Sequence, residues 1–389
     1  MKIVFTGGGT AGHAMVNTVL IPYLQKKECK ITYVGSKRGM EKAMISEIDN
    51  VRYYSISTGK LRRYISFENF TDIFRLGKGI IEAWRILKKE KPQLIYSSGG
   101  YVSVPVVWAA FLLRIPVILR ETDYSAGLAN KLCIPFAKKL YVTFPDSQKE
   151  IKNITCLNGG MIIRPQLFNM DNYSATYINL KKPLCLIMGG SAGSANINNI
   201  VWDNIDILTE YYSIIHICGK DKYNSKIVDT DSYQQLEFAK DMSMFYQMAD
   251  VVITRSGSNA IAEGLLMGKR MVCIPLSTSA SRGEQMLNAK FAKKNGTVII
   301  VNDKECNIST LLQAIQTVLT LPMNHSYKTT KKKLIEQIQN HVNEIHYAAF
   351  EQLQHDMKEH LKYGKKINMQ DFNAYEMDML EELSSNYDL

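Results

Sequence analysis

The chain has 389 residues, of which 46% are hydrophobic and 22% charged, with a formal net charge of +10. A single core rarely grows beyond about 250–300 residues, so two domains are expected. No apolar run reaches the ~18 residues of a membrane span, and seven scattered cysteines argue for reduced core thiols and against a disulfide framework or a zinc site.

The first strand is expected at Lys2-Ile-Val-Phe-Thr6, with no targeting segment before it. Gly7-Gly-Gly-Thr-Ala-Gly-His13 follows, and Gly7, Gly9 and Gly12 satisfy G-x-G-x-x-G. The next strand, Lys30 to Val34, ends in Gly35-Ser36 and lacks the acid that would hold an NAD ribose, although Lys37 and Arg38 suit a 2′-phosphate. A second reading lets an acceptor's phosphate approach these glycines. His13 is then either a catalytic group or a hydrogen-bonded cap at the helix start.

Gly59-Lys-Leu-Arg-Arg-Tyr-Ile65 precedes a helix bearing Phe67, Phe70, Ile73, Phe74 and Leu76, and a helical pattern resumes from Ile80 to Lys91. Lys60, Arg62 and Arg63 beside Tyr64, Ile65 and Phe67 fit an anionic membrane surface, or equally an amphipathic helix with solvated cations. Two more strands, Pro92 to Tyr96 and Pro116 to Leu119, end in Ser97-Ser-Gly-Gly-Tyr-Val-Ser103 and Arg120-Glu-Thr-Asp-Tyr-Ser-Ala-Gly127. Open α/β sheets bind ligands at such carboxyl ends, and three polar loops converge there. Up to Arg164 the chain carries 25 Lys and Arg against 12 Asp and Glu, which points to an anionic partner for this half.

The strand–glycine–helix pattern restarts at Pro183-Leu-Cys-Leu-Ile-Met-Gly-Gly-Ser-Ala-Gly193. A strand at Asp250 to Thr254 then leads through Arg255-Ser-Gly-Ser258 into a helix carrying Glu263, and a strand at Arg270 to Pro275 leads to Glu284, Gln285 and Asn288. Ser256, Gly257 and the helix N-terminus suit a diphosphate, Glu263 suits ribose hydroxyls, and Glu284 and Gln285 suit a sugar. The plainer alternative is an ordinary βαβ unit with a polar rim. From Glu305 to about Leu361 the pattern is helical. Residues 368–389 hold six acids and no base, as a tail or a docking helix.

The motifs Thr6-Gly-Gly-Gly-Thr-Ala-Gly-His13, Gly99-Gly-Tyr-Val-Ser103, Ala126-Gly-Leu-Ala-Asn-Lys131, Gly189-Gly-Ser-Ala-Gly193, Arg255-Ser-Gly…Glu263 and Glu284-Gln285…Asn288-Ala289 together resemble the MurG family over most of residues 1–345. Gly59 to Ser66 and Ser281 to Gln285 resemble its Gram-positive branch. Ala11 and Arg120 stand where that family more often has glycine and histidine. The resemblance implies an α/β GT-B glycosyltransferase fold, with two Rossmann-like domains facing across a cleft and a helical C-terminal tail. The expected units are 1–163 for the acceptor and membrane, 164–345 for the donor, and 346–389 as the tail.

It further implies metal- and cofactor-independent, inverting transfer from UDP-GlcNAc to the C4 hydroxyl of a polyprenyl-diphosphate-linked N-acetylmuramyl-pentapeptide. The place would be the cytoplasmic membrane face, peripherally bound, with nucleic acid not among the partners. Donor residues map to Thr10, Gly12, Arg164, Ser191, Ala239, Ser256, Gly257, Glu263, Glu284 and Gln285. Acceptor residues map to Gly9, His13, Gly100, Tyr101, Glu121 and Asn130. His13 is the expected base, with Asp123 second. The alternatives are a GT-B transferase acting on another lipid or small acceptor, a UDP-sugar epimerase on the same fold, and last an NADP-dependent oxidoreductase.

Overall fold

The computed structural model describes residues 1–59, 67–169, 181–190, 192–239, 241–277 and 283–362, with backbone alone for 67–71 and 360–362. The first half contains β1 (Lys2–Thr6), α1 (Ala11–Gln25), β2 (Lys30–Ser36), α2 (Met40–Ser46) and β3 (Val51–Ile56). It continues with α3 (Phe67–Glu90), β4 (Leu94–Ser97), α4 (Ser103–Leu112), β5 (Val117–Glu121), α5 (Leu128–Cys133), β6 (Lys139–Val142) and β7 (Thr155–Asn158). These strands form one parallel seven-stranded sheet in the order β3-β2-β1-β4-β5-β6-β7. Phe5, Tyr33, Ile95 and Leu119 are all buried, as parallel strands covered by helices on both faces require.

The second half repeats the plan. β8 (Leu184–Met188), α6 (Ala195–Trp202), α7 (Ile205–Tyr211), β9 (Ser213–Ile217), β10 (Tyr233–Leu236) and α8 (Ser243–Met248) come first. β11 (Val251–Thr254), α9 (Ser258–Leu266), β12 (Arg270–Cys273), α10 (Glu284–Asn295), β13 (Val298–Ile300) and α11 (Ile308–Thr320) complete a six-stranded parallel sheet ordered β10-β9-β8-β11-β12-β13. In each sheet the strand order reverses beside the first strand. Two crevices result, at the carboxyl ends of β1/β4 and of β8/β11, where doubly wound sheets hold ligands.

α3 joins into one helix the two helical stretches expected on either side of residue 78. The helical region expected from Glu305 divides into α11 and α12 (Lys331–Lys362), separated by a stretch containing Pro322, which cannot continue a helix. The unit boundary expected at 345/346 falls inside α12. This helix buries Leu334, Ile338, Val342, Ile345, Ala349, Leu353 and Met357, a stripe at three- and four-residue spacing that packs on α1 and β4 of the first half. Each fully buried large apolar side chain contributes about 1.5–3 kcal/mol, so the C-terminal helix binds the halves together by apolar burial. Tyr96 and His341 hydrogen-bond at 2.9 Å inside this contact, and Gln337 Nε2 donates to the Met161 carbonyl at 3.1 Å.

Candidate active site

The loops after β1 and β4 interlock. The Gly8 amide donates to the Gly99 carbonyl at 3.2 Å. Gly100 has φ +82°, and a Cβ there would stand 1.9 Å from the Gly8 carbonyl oxygen and 3.0 Å from the His13 ring. Only glycine permits that approach.

His13 lies in the first turn of α1, with Nδ1 3.1 Å from the Ser98 carbonyl oxygen and 3.4 Å from Thr122 Oγ1. A carbonyl only accepts, so this bond assigns the neutral ring's proton to Nδ1 and the lone pair to Nε2.

Glu121, the last residue of β5, is buried. Its carboxylate accepts from the Asp123 amide (3.0 Å), the Gly127 amide (2.9 Å) and Asn130 Nδ2 (2.8 Å). Burial raises its pKa, the Asp123 charge adds to that, and His13 opposes it. Glu121 and Asn130 thus fix the 122–127 loop. A cavity of about 260 Å³ opens between these loops, and Gly9, His13, Gly100, Tyr101, Glu121 and Asn130 all line it. Thr10, expected on the donor side, lines the same cavity, and Gly12 lies one residue before His13 in α1.

Glu41 was not singled out from the sequence. In the first turn of α2 it is fully buried, accepting at Oε1 from the Ser36 amide (2.9 Å) and hydroxyl (2.5 Å), and at Oε2 from the Gly9 amide (3.3 Å). The Gly8 and Gly9 amides are therefore committed inside the protein, and a carboxylate stands beside the loop. That arrangement disfavours a dinucleotide's pyrophosphate at Gly7–Gly9, whatever the glycine spacing.

The second half-site forms after β11. Ser256 has φ +64°, a left-handed conformation uncommon for a residue with a Cβ. Gly257 is the N-cap of α9, and among the described residues a Cβ there meets nothing within 4 Å, so these residues leave the space at that position open. Arg255 does not face that space. Its Nε donates to Ser194 Oγ at 2.8 Å, and Nη1 donates to Asp303 Oδ1 at 2.5 Å and to the Ile274 carbonyl at 3.3 Å. It clamps three loops.

Glu263, five residues into α9, is 7% exposed, and its Oε1 lies 3.8 Å from Arg164 Nη2. Burial raises its pKa, while Arg164 and the Tyr246 hydroxyl act to lower it. Glu284 opens α10 after Gly283, and Gln285 Oε1 accepts the Leu276 amide at 2.9 Å, tying the loop back to its helix. Ala239 is half-buried against the large core. Ser191, Lys60, Arg62, Arg63, Tyr64 and Ile65, and the side chain of Phe67, lie outside the described residues, as do residues 363–389.

The half-sites touch. Asp123 Oδ1 accepts from Asn288 Nδ2 at 3.1 Å, the Tyr124 amide donates to Asn288 Oδ1 at 2.9 Å, and Lys294 Nζ meets Asp146 Oδ2 at 2.9 Å. One cleft therefore carries both sets of groups.

The glycosyltransferase family 28 N-terminal domain model matches residues 3–142 and the C-terminal domain model matches residues 184–345. The UDP-N-acetylglucosamine–N-acetylmuramyl-(pentapeptide) pyrophosphoryl-undecaprenol N-acetylglucosamine transferase of Oceanobacillus iheyensis is 46% identical over 308 residues, covering 78% of this chain and 86% of the relative. The chain belongs to the MurG family. It is a glycosyltransferase. The transferase of the same description from Clostridium botulinum (strain Alaska E43 / Type E3) is 42% identical, over 87% of this chain and 93% of its own. The crystal structure of Acinetobacter baumannii MurG superimposes with a TM-score of 0.62 at 24% identity, covering 88% of this chain and 94% of that one. The MurG fold is shared more widely. The UDP-GlcNAc 2-epimerase of Methanocaldococcus jannaschii, in complex with UDP-GlcNAc and UDP, gives 0.61 at 15% identity over 89% and 100% of the two chains. That likeness is one of fold.

Proposed function

We propose that His13 Nε2 takes the proton from the acceptor hydroxyl while the turn at Ser256–Gly257 and Arg164 stabilise the departing UDP. The reaction is transfer of N-acetylglucosamine from UDP-GlcNAc to the C4 hydroxyl of undecaprenyl-diphosphate-linked N-acetylmuramyl-pentapeptide, which converts lipid I to lipid II. A single displacement by that hydroxyl inverts the anomeric carbon. The observation that carries the reading is His13 itself. Its Nδ1 is held by the Ser98 carbonyl, which leaves Nε2 as the basic nitrogen of a residue that lines the acceptor cavity.

The acceptor diphosphate suits the N-terminal amides of α1, which the Thr10 side chain does not cap. On the donor side, the α9 N-terminus and Arg164 meet the charge that develops on the leaving diphosphate, with no metal required by the scheme. Glu263 suits the ribose, and Glu284 and Gln285 the sugar hydroxyls. Residues 1–163 then serve the acceptor and 164–345 the donor.

Among the described residues no helix is long and apolar enough to cross a membrane. The reading is peripheral attachment at the cytoplasmic face, where the lipid-linked acceptor lies. Ile73, Phe74 and Ile81 on α3, and Phe111 and Leu112 on the adjoining α4, are exposed large apolar side chains, and Lys78 and Arg75 stand among them. Incubation with UDP-GlcNAc alone tests the reading against the epimerase alternative. The donor stays unchanged under this account, and appearance of its 2-epimer overturns it.

A further inference from the structure

Asn288 is fully buried in α10 and joins three backbone or side-chain groups from both sides of the cleft. Its Oδ1 accepts from the Tyr124 amide at 2.9 Å, and its Nδ2 donates to Asp123 Oδ1 and to the Ser256 carbonyl, each at 3.1 Å. The first two belong to the loop that follows β5, and the third to the turn that opens α9. We propose that Asn288 is a positioning residue, an interdomain latch that sets the register between the acceptor loop and the donor turn. This rests on the reading that those two loops hold the two substrates.

The chemistry of the side chain fits the task. A primary amide offers an acceptor and two donors at once. An aspartate at 288 would only accept, and would face both the Asp123 carboxylate and the Ser256 carbonyl. Holding the Ser256 carbonyl also fixes a residue in the left-handed region, where a turn without support would relax. The bond to Asp123 has a second consequence: it occupies an oxygen of that carboxylate, which leaves His13 as the better-placed proton acceptor.

The rest of α10 supports the same contact. Phe291, one turn on, lies with its ring centroid 4.8 Å from that of Phe144 and 6.2 Å from that of Tyr124. Lys294 adds its exposed ion pair with Asp146, a weak contribution because water screens it. Asn288 is the buried, directional member of this set, and it reaches the donor turn at the Ser256 carbonyl.

The test uses the full chain with Cys156 and Cys306 changed to serine and spin labels attached through Lys42→Cys and Lys220→Cys, two exposed positions on opposite halves. Distances between the labels are measured by electron–electron resonance without substrate, alongside UDP affinity and turnover. Asn288→Ala is expected to broaden the distance distribution and lengthen its mean, and to lower kcat by roughly 10–100-fold, the cost of a small misplacement of reacting groups. UDP affinity is expected to fall by clearly less than turnover, because only the Ser256 bond lies on the donor side while the other two bonds hold the acceptor loop. Asn288→Asp keeps size and the Tyr124 bond but loses both donations, and is expected to open the halves at least as far, so a poorly folded alanine variant does not decide the matter. Unchanged distances in both variants overturn the latch, as does a loss of UDP affinity that accounts for the whole fall in turnover. Because the distances are read without substrate, a latch that holds while UDP maps elsewhere overturns only the assignment of the loops.

Discussion

Arg164 Nη2 stands 3.8 Å from Glu263 Oε1, so the residue that leads the chain out of the first sheet reaches the helix that opens the second half-site. Glu263 is the more deeply buried partner, and burial raises its pKa. Arg164 and the Tyr246 hydroxyl oppose that rise, and a carboxyl group in this place suits hydrogen bonds with a ribose.

Replacing Glu263 by alanine is expected to weaken UDP-GlcNAc binding by roughly ten- to hundredfold. That corresponds to about 1.5–3 kcal/mol for a hydrogen bond to a charged group. Isothermal titration checks it. Wild-type affinity would show that Glu263 serves only to hold Arg164.

His13→Ala is expected to leave UDP affinity nearly unchanged and to lower turnover by roughly 10²–10⁴-fold. Asp123→Ala is expected to cost less turnover than His13→Ala, because Asn288 already engages one of its oxygens. Near-normal turnover in the His13 variant would exchange the two roles.

Much of this site was legible from local patterns. Buried β-branched strands followed directly by glycine and polar residues reveal the sheets, and the rule that ligands gather at strand carboxyl ends points to the three loops that carry His13, Glu121 and Asn130, whereas the roles of Glu121 and Asn130 come from the family resemblance alone. The missing parts are long-range pairs of ordinary residues. Glu41 reads as any acid in a helix's first turn, and its partner Gly9 is 32 residues away. Arg255 opens the turn before α9 in the sequence, but its partner Asp303 lies 48 residues on. The Asn288–Asp123 bond spans 165 residues, a separation at which residue spacing carries no signal.

Acid should destabilise the protein through its buried histidines. His216 is enclosed between Asn198 and the Tyr233 hydroxyl, and burial lowers its pKa to about 4. Burial lowers His341 as well, with Arg120 adding to the effect. A depressed histidine pKa means the unfolded chain binds the proton first. Stability is therefore complete above the unfolded value of about 6.5 and falls as pH drops toward about 4, by up to about 3 kcal/mol for His216. Urea midpoints at pH 7 and pH 4.5 measure the fall, and His216→Asn is expected to make it smaller. An equal fall in that variant would remove His216 as a source.

Attachment to the membrane is expected to be reversible and salt-sensitive. Each basic residue near an anionic surface contributes about 1 kcal/mol, screened over roughly 8–10 Å. Co-sedimentation with phosphatidylglycerol vesicles is expected to weaken in a Lys60/Arg62/Arg63→Ser variant and in an Ile73/Phe74→Ser variant, and to be lost at high salt. Equal binding to neutral and anionic vesicles would assign the cations another task.

The transfer itself is the most direct test. Labelled UDP-GlcNAc is incubated with a short-chain polyprenyl-diphosphate N-acetylmuramyl-pentapeptide, and the product is analysed by mass and by its anomeric configuration. The account predicts one added N-acetylhexosamine in β linkage at the muramyl C4 oxygen, with one UDP released per transfer and none without acceptor. Release of UDP with no sugar on the acceptor, or an α-linked product, would contradict it.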